Sequence, residues 1–113
     1  MLIYKICPEA LWREAETRGR FEGAPVDRAD GYIHFSTAAQ LCETAARHFS
    51  GQAGLCLVSV DAEKLGAALR WEASRGGALF PHLYGELPLA AVTKVEPLPL
   101  RRDGTHAFPP EIL

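Results

Sequence analysis

Residues 31–37 have the sequence Gly31-Tyr32-Ile33-His34-Phe35-Ser36-Thr37. Side chains alternate between the two faces of a strand, so Ile33 and Phe35 can supply a core. The opposite face then carries Tyr32, His34 and Ser36. A histidine beside an aromatic ring and a hydroxyl group predicts the lining of a pocket, although a buried histidine with an ordinary hydrogen-bond partner gives the same pattern.

A second stretch of the same character is Ala78-Leu79-Phe80-Pro81-His82-Leu83-Tyr84-Gly85. His82 and Tyr84 share one face of the predicted strand, and Leu83 lies on the other. Pro81 cannot donate a hydrogen bond to a neighbouring strand, which favours an edge strand or a bulge. A domain of this size has little apolar area to spare for two pockets, so we expect His34 and His82 to line one cleft.

Around these two stretches, the hydrophobic pattern predicts about six strands and two helices. The strands are expected at residues 2–6, 32–35, 55–60, 69–72, 80–84 and 90–95. One helix is expected after Pro8 and the other after Thr37. Because the helices come early and most strands come late, the predicted fold class is α+β with a mainly antiparallel sheet.

The chain of 113 residues is 48% hydrophobic and 23% charged, which is typical of one globular domain over residues 1–113. Residues 97–113 are rich in proline and are expected to form a loosely packed tail. Residues 20–30, rich in glycine, proline and charge, are expected to form an irregular connection in the position of a lid.

The formal net charge of −2 gives no electrostatic indication of a nucleic-acid or membrane partner. The sequence shows neither a signal peptide nor an apolar run of about 20 residues, so we expect a cytoplasmic protein. Cys7, Cys42 and Cys56 form no CxxC pair and are expected to be reduced and structural. The four histidines show no metal-ligand spacing, so no metal is expected, and the oligomeric state stays open.

Ser36 and Thr37 precede the second predicted helix, where a hydroxyl group is most often a cap. The same position is also suited to anion binding, because the free N–H groups and the helix dipole favour negative charge. A phosphate or pyrophosphate is the natural ligand there, and Arg70 could add positive charge.

Glu72 lies on the predicted strand Leu69-Arg70-Trp71-Glu72. A partly buried carboxylate near imidazoles is a candidate general base or an acceptor for ribose hydroxyl groups. An ion pair with a neighbouring arginine such as Arg70 explains the same residue equally well.

The chain resembles the small bacterial family called domain of unknown function 952. The resemblance rests on Ile3-Tyr4, on residues 31–37, on Leu69-Arg70-Trp71-Glu72 and on Leu79-Phe80-Pro81-His82-Leu83-Tyr84-Gly85. That family is similar to a compact form of the ADP-ribosyltransferase-like fold, which implies a split antiparallel sheet that holds a nicotinamide dinucleotide or an ADP-ribose-type ligand.

The resemblance also implies roles for particular residues. Tyr4 and Lys5 match the first motif of that fold, residues 34–37 the second, and residues 82–84 the third. The predicted catalytic residues are Glu72, His34 and His82, and the predicted ligand-binding residues are Tyr4, Lys5, Ser36, Thr37, Arg70 and Tyr84.

Three functions remain open at this point. The first is transfer of an ADP-ribosyl or glycosyl group from NAD or an ADP-ribose-like substrate. The second is a module that binds a metabolite or a partner without turnover, and the third is a small hydrolase with a histidine as general base.

Overall fold

The computed structural model describes residues 1–112 of the chain. They form eight strands: β1 (Leu2–Pro8), β2 (Arg20–Phe21), β3 (Ile33–His34), β4 (Leu55–Asp61), β5 (Leu69–Ala73), β6 (Leu79–Leu83), β7 (Leu87–Pro88) and β8 (Val92–Leu98). The α-helices are α1 (Glu9–Arg18), α2 (Pro25–Asp30) and α3 (Ala38–His48). Short 3-10 helices span Ala62–Ala68, Arg75–Gly77, Leu89–Ala91 and Pro110–Ile112. No helix within residues 1–112 combines the length and the apolar character that crossing a membrane requires.

The strands form two antiparallel half-sheets, with the orders β1-β4-β8 and β3-β6-β5, and β2 pairs with β7. The half-sheets are joined at one point, where Tyr4 and Ser36 exchange backbone hydrogen bonds of 2.8 and 2.9 Å. The protein is therefore a single compact domain of mixed helices and antiparallel sheets, and the predicted α+β class is confirmed.

The expected element count of six strands and two helices is wrong. The two additional strands, β2 and β7, have two residues each, which is too short for an alternating pattern to show. The additional helix, α2, lies inside the connection that was expected to be irregular. It begins with Pro25 in its first turn, and it ends at Gly31, whose φ of 88° suits a glycine.

Two cores lie on opposite faces of the first half-sheet. The main core packs α1, through Trp12, against β1, β4 and the apolar face of the second half-sheet, which contributes Ile33 and Leu83. The second core packs α3, through Leu41, against the other face of β1 and β4, including Leu57. The β1-β4-β8 half-sheet is therefore covered on both faces.

The tail begins later than expected, because β8 continues to Leu98, which is fully buried in the second core. Phe108 and Ile112 pack against the same core. The Nε2 atom of His106 lies 2.8 Å from the carbonyl oxygen of Gln52. The tail is thus fixed at several points along its length.

Candidate functional site

Four aromatic side chains meet on the face of the second half-sheet that is turned away from the main core. We call Tyr32, His34, His82 and Tyr84 the ring cluster. The Tyr32 ring stacks on that of His82 with 4.2 Å between centroids, and it lies 4.7 Å from His34 and 5.2 Å from Tyr84. The two imidazoles meet edge to face at 5.4 Å. The two histidines are therefore neighbours on one face, while the prediction that they line one cleft stays a prediction.

Strand register brings the two histidines together. His34 of β3 is directly opposite His82 of β6. The next pair along the two strands consists of Phe35 and Pro81, which are joined by a backbone hydrogen bond of 3.0 Å from Phe35 N to Pro81 O. His34 and His82 consequently form a non-hydrogen-bonded pair, the arrangement in which opposing side chains approach most closely.

Pro81 lies in the central strand of the half-sheet, so the expectation of an edge strand or a bulge is wrong. The register points the nitrogen of Pro81 toward β3, where a ladder hydrogen bond to Phe35 O would otherwise form. β3 ends at this point, and the chain turns to pair with Tyr4 at Ser36. The proline therefore interrupts the ladder where the half-sheets part, so its missing donor costs little.

His34 is held by two carboxylates from α2. Its Nδ1 atom lies 2.6 Å from Asp27 Oδ1, and its Nε2 atom lies 3.0 Å from Asp30 Oδ2. Its backbone N–H also donates to Asp27 Oδ1 at 3.1 Å. These contacts leave the His34 side chain 33% exposed, with both nitrogens engaged.

Asp27 links this histidine to β1. Lys5 Nζ donates to both of its oxygens, at 3.0 and 2.8 Å, and both side chains are buried. Burial by itself raises the pKa of Asp27, but hydrogen bonds from His34 and Lys5 outweigh it and lower the pKa to about 2. Asp27 is therefore an anchor that the sequence reasoning missed. The only indication in the sequence was that Asp27 lies three residues after Ala24, the spacing at which an acidic side chain caps the start of a helix. The backbone N–H of Ala24 donates to Asp27 Oδ2 at 2.8 Å.

His82 has a different environment. Its Nδ1 atom lies 2.8 Å from Glu72 Oε1, and the same oxygen accepts a hydrogen bond of 2.7 Å from the Tyr84 hydroxyl. Hydrogen bonds from His82 and Tyr84 lower the pKa of Glu72, and the acceptor Glu72 raises the pKa of Tyr84. His82 is only 4% exposed, yet its Nε2 atom has no hydrogen-bond partner among the described side chains, which leave out Arg75 and Leu113. A buried ring nitrogen without a partner marks a position for a ligand or a reacting group.

Arg70 completes this side of the site. It is directly opposite His82 across β5 and β6, and its guanidinium carbon lies 4.8 Å from the centroid of the Tyr84 ring. The distance suits a cation–π contact, which keeps an exposed positive charge at the edge of the ring cluster.

The remaining predicted ligand-binding residues lie elsewhere. Tyr4 is buried in the second core. Ser36 Oγ lies 2.9 Å from the hydroxyl of Thr44 in α3, and Thr37 N donates to Gln40 Oε1 at 3.0 Å, as expected for a helix start. These three residues contact α3, β1 and the second core rather than the four rings.

A groove begins at the ring cluster and runs along α2. Its first part, of about 340 Å³, is lined by Tyr32, Gly31, Gly85, Arg28, Glu22 and Glu86, among others. The second part, of about 510 Å³, shares Glu22 and Arg28 and adds Arg18 and Arg20. Three guanidinium groups surround one carboxylate there. Glu22 lies 3.6 Å from both Arg18 and Arg28, and 3.9 Å from Arg20.

The described residues bring together no group of three histidine, cysteine or acidic side chains that could hold a metal ion. The site is instead built from hydrogen-bonded imidazoles, carboxylates and phenol rings. These are groups that transfer protons, stack on flat ligands and stabilise charge.

The fold and these contacts define a small α+β domain with two carboxylate-bound histidines between tyrosine rings. Residues 6–95 match the family model described as "Protein of unknown function (DUF952)", and the chain belongs to this family. The resemblance predicted from the sequence is thus confirmed at the level of the family.

Solved structures extend this match over nearly the whole chain. The X-ray crystal structure of protein CC0527 from Caulobacter crescentus is 54% identical, with a TM-score of 0.91 over 95% of this chain and 94% of that chain. The solution NMR structure of CC0527 is 56% identical, with a TM-score of 0.83 over 92% of this chain and 90% of that chain. No curated protein matches the chain.

Proposed function

We propose that the protein binds a nucleotide-like ligand, of the NAD or ADP-ribose type, in a cleft at the ring cluster where the two half-sheets part. The observation that carries the proposal is the buried His82, whose Nε2 atom has no hydrogen-bond partner among the side chains that the structure describes and lies in a ring stacked on Tyr32. A ligand that places a polar atom against Nε2 and a flat ring beside the tyrosines satisfies both features.

The groove along α2 supports a ligand with separated base and phosphate groups. Tyr32 belongs to both the ring cluster and the first part of the groove. Farther along, three arginines lie around Glu22, and Arg20 also lies 3.5 Å from Glu86, so a phosphate there would compete with these carboxylates for the guanidinium groups. A phosphate that displaced Glu22 would accept forked hydrogen bonds from guanidinium groups, which suit phosphate geometry well.

The pair of Glu72 and His82 supports a reaction at this ligand. The lowered pKa of Glu72 keeps this carboxyl group ionised. The carboxylate can therefore stabilise the oxocarbenium-like centre that forms when a glycosidic bond breaks. Glu72 also orients the His82 ring through its contact with Nδ1. The opposite nitrogen, Nε2, can then act as a general base that takes a proton from the molecule receiving the transferred group. Transfer of an ADP-ribosyl or glycosyl group, as in the ADP-ribosyltransferase-like fold, is the proposed reaction.

Hydrolysis with His82 as general base is a second candidate. A carboxylate on Nδ1 and a free Nε2 also suit activation of water, and neither requires a dinucleotide. A binding module without turnover needs only the rings and the groove. The products distinguish the three functions, because hydrolysis and transfer form different products and a binding module forms none.

Binding can be tested by thermal shift and ligand-detected NMR with NAD, ADP-ribose, ADP and nicotinamide. A ligand at 100 times its dissociation constant should stabilise the folded protein by about 2.7 kcal/mol. We expect His82→Gln to weaken binding at least tenfold. His106→Gln is the matched control, because His106 is an equally buried histidine outside the ring cluster.

The proposal fails if none of the four compounds binds saturably, or if His82→Gln and His106→Gln bind equally well. Products then decide the reaction class. Release of nicotinamide from NAD selects transfer, cleavage of simple phosphate or acyl esters with NAD inert selects hydrolysis, and saturable binding without products selects the module.

A further inference from the structure

Cys7 and Cys56 face each other inside the main core, outside the site just described. Their Sγ atoms lie 3.9 Å apart, and both residues are almost fully buried. Cys42, the third cysteine, is exposed on α3. The buried pair therefore differs from Cys42 in having a second thiol within reach.

The backbone already has the spacing of a disulfide at this point. Cys7 of β1 is directly opposite Cys56 of β4. Two residues farther on, Glu9 N donates to Gly54 O at 2.8 Å, so Cys7 and Cys56 belong to the hydrogen-bonded class of pairs. The Cα atoms of such pairs lie about 5.5 Å apart, which is within the range that disulfides span.

We propose that Cys7 and Cys56 form a reversible disulfide between β1 and β4 when the protein meets hydrogen peroxide. Rotation of the two side chains would bring the sulfur atoms from 3.9 Å to the bonded distance of about 2 Å. The cross-link needs no change in the strand register.

The oxidation balances with one molecule of peroxide. Either thiol can donate in the 3.9 Å contact between them, and this contact lowers the pKa of Cys56, which favours Cys56 as the first nucleophile. Its thiolate attacks peroxide, the O–O bond breaks, and a sulfenic acid and hydroxide form. The hydroxide takes up the proton that the Cys56 thiol released and becomes water. The sulfur of Cys7 then attacks the sulfenic sulfur and displaces hydroxide, which takes the thiol proton and leaves as water. The two thiols lose two electrons, and peroxide gains them.

The position of the pair explains how a small oxidant reaches it. Cys7 precedes the last residue of β1, and Cys56 follows the first residue of β4. Strand ends open locally at a much smaller free-energy cost than the centre of a sheet. Hydrogen peroxide is small enough to enter through such an opening.

The cross-link would enclose the part of the chain that carries α1, β2, α2, β3 and α3. That loop includes Asp27 and His34, so oxidation would restrain the α2 side of the ring cluster. Closing a loop of this length should raise the unfolding temperature by about 15 °C.

The test uses Cys42→Ser protein, so that only the buried pair can react, and treats it with hydrogen peroxide. Intact mass should fall by about 2 Da, the mass of two hydrogen atoms, and a thiol reductant should restore it. Tryptic digestion should release the peptide Ile6–Arg13 linked to the peptide His48–Lys64. The unfolding temperature should rise on oxidation and return on reduction.

Cys56→Ala in the same background is the control, and Cys7→Ala is used if that variant does not fold. The remaining thiol should gain oxygen or stay unchanged, and the mass loss should vanish. The proposal is overturned if peroxide oxidises the exposed Cys42 of the natural sequence while Cys7 and Cys56 still alkylate fully after denaturation. It is also overturned if the mass loss persists without Cys56.

Discussion

The two half-sheets contain three strands each, but only one is covered on both faces. In β1-β4-β8, residues 55–60 of the central strand are all buried between α1 and α3. In β3-β6-β5, the face with Ile33 and Leu83 joins the main core, while the opposite face carries the ring cluster. The comparison indicates that burial of apolar side chains is concentrated on the first half-sheet, whereas the second carries the candidate site on its open face.

Besides the backbone bridge between Tyr4 and Ser36, a set of buried side-chain contacts connects the two regions. Lys5 belongs to β1, and its only acidic partner in the described residues is Asp27, which also holds His34. A buried ammonium group in the first half-sheet is tolerated because it has this partner. The Asp27 carboxylate therefore has two roles. It neutralises the buried Lys5 of the first half-sheet, and it orients His34 of the candidate site.

The largest expected effect comes from breaking this connection. Asp27→Asn leaves the buried Lys5 ammonium without a counterion, so we expect a loss of about 3 to 5 kcal/mol in the free energy of unfolding. Urea denaturation measures it. Adding Lys5→Met should recover much of the loss, because no buried charge then remains. A loss below about 1 kcal/mol in the single variant would show that the pair does not connect the half-sheets.

A cavity in the first half-sheet should cost slightly less. Leu57→Ala removes a fully buried side chain from the centre of β4, and we expect a loss of about 3 kcal/mol. Trp71→Ala, at a side chain that is 39% exposed on β5, should cost less than about 1 kcal/mol. Equal losses in the two variants, measured by urea denaturation, would remove the contrast between the half-sheets.

Acid should weaken the connection without any mutation. The pKa of Asp27 is about 2 in the folded protein, below its usual value of 3.8, so the unfolded state binds the proton more readily. The stabilisation is complete above about pH 4 and is lost as the pH falls toward 2. It amounts to about 2 kcal/mol. Stability measured against pH should fall less steeply between about pH 4 and pH 2 in Asp27→Asn than in the natural sequence, because the other carboxyl groups with a lowered pKa, such as Glu72, remain.

Local alternation was enough to predict the faces of the candidate site. The period of two along residues 32–35 and 80–84 placed His34 and His82 on polar faces, and strand pairing then brought the rings together. Glu72 was recognised for a similar reason, as a carboxylate on a strand beside imidazoles. Its bond to His82 follows from neighbouring positions on β5 and β6.

Contacts between distant segments were not predictable in the same way. Nothing near Asp27 in the sequence indicates that α2 folds back to Lys5, 22 residues earlier. Pro81 was assigned to an edge because an isolated strand does not show where its neighbour ends. Tyr4 and Ser36 have the residue types of a binding site, but the packing of α3 determines their surroundings.

The smallest expected effect tests whether the ring cluster acts as a unit. His34 and His82 touch edge to face, so a double-mutant cycle with His34→Ala and His82→Ala should depart from additivity by about 0.5 to 1 kcal/mol in stability. The pair of His34→Ala and His106→Ala is the control, because no contact joins those residues, and it should be additive within about 0.3 kcal/mol. If the ligand bridges the rings, as we propose, the first cycle should show coupling in binding as well. Coupling in stability without coupling in binding would make the two histidines packing partners only, and the second half-sheet would then differ from the first in exposure but not in function.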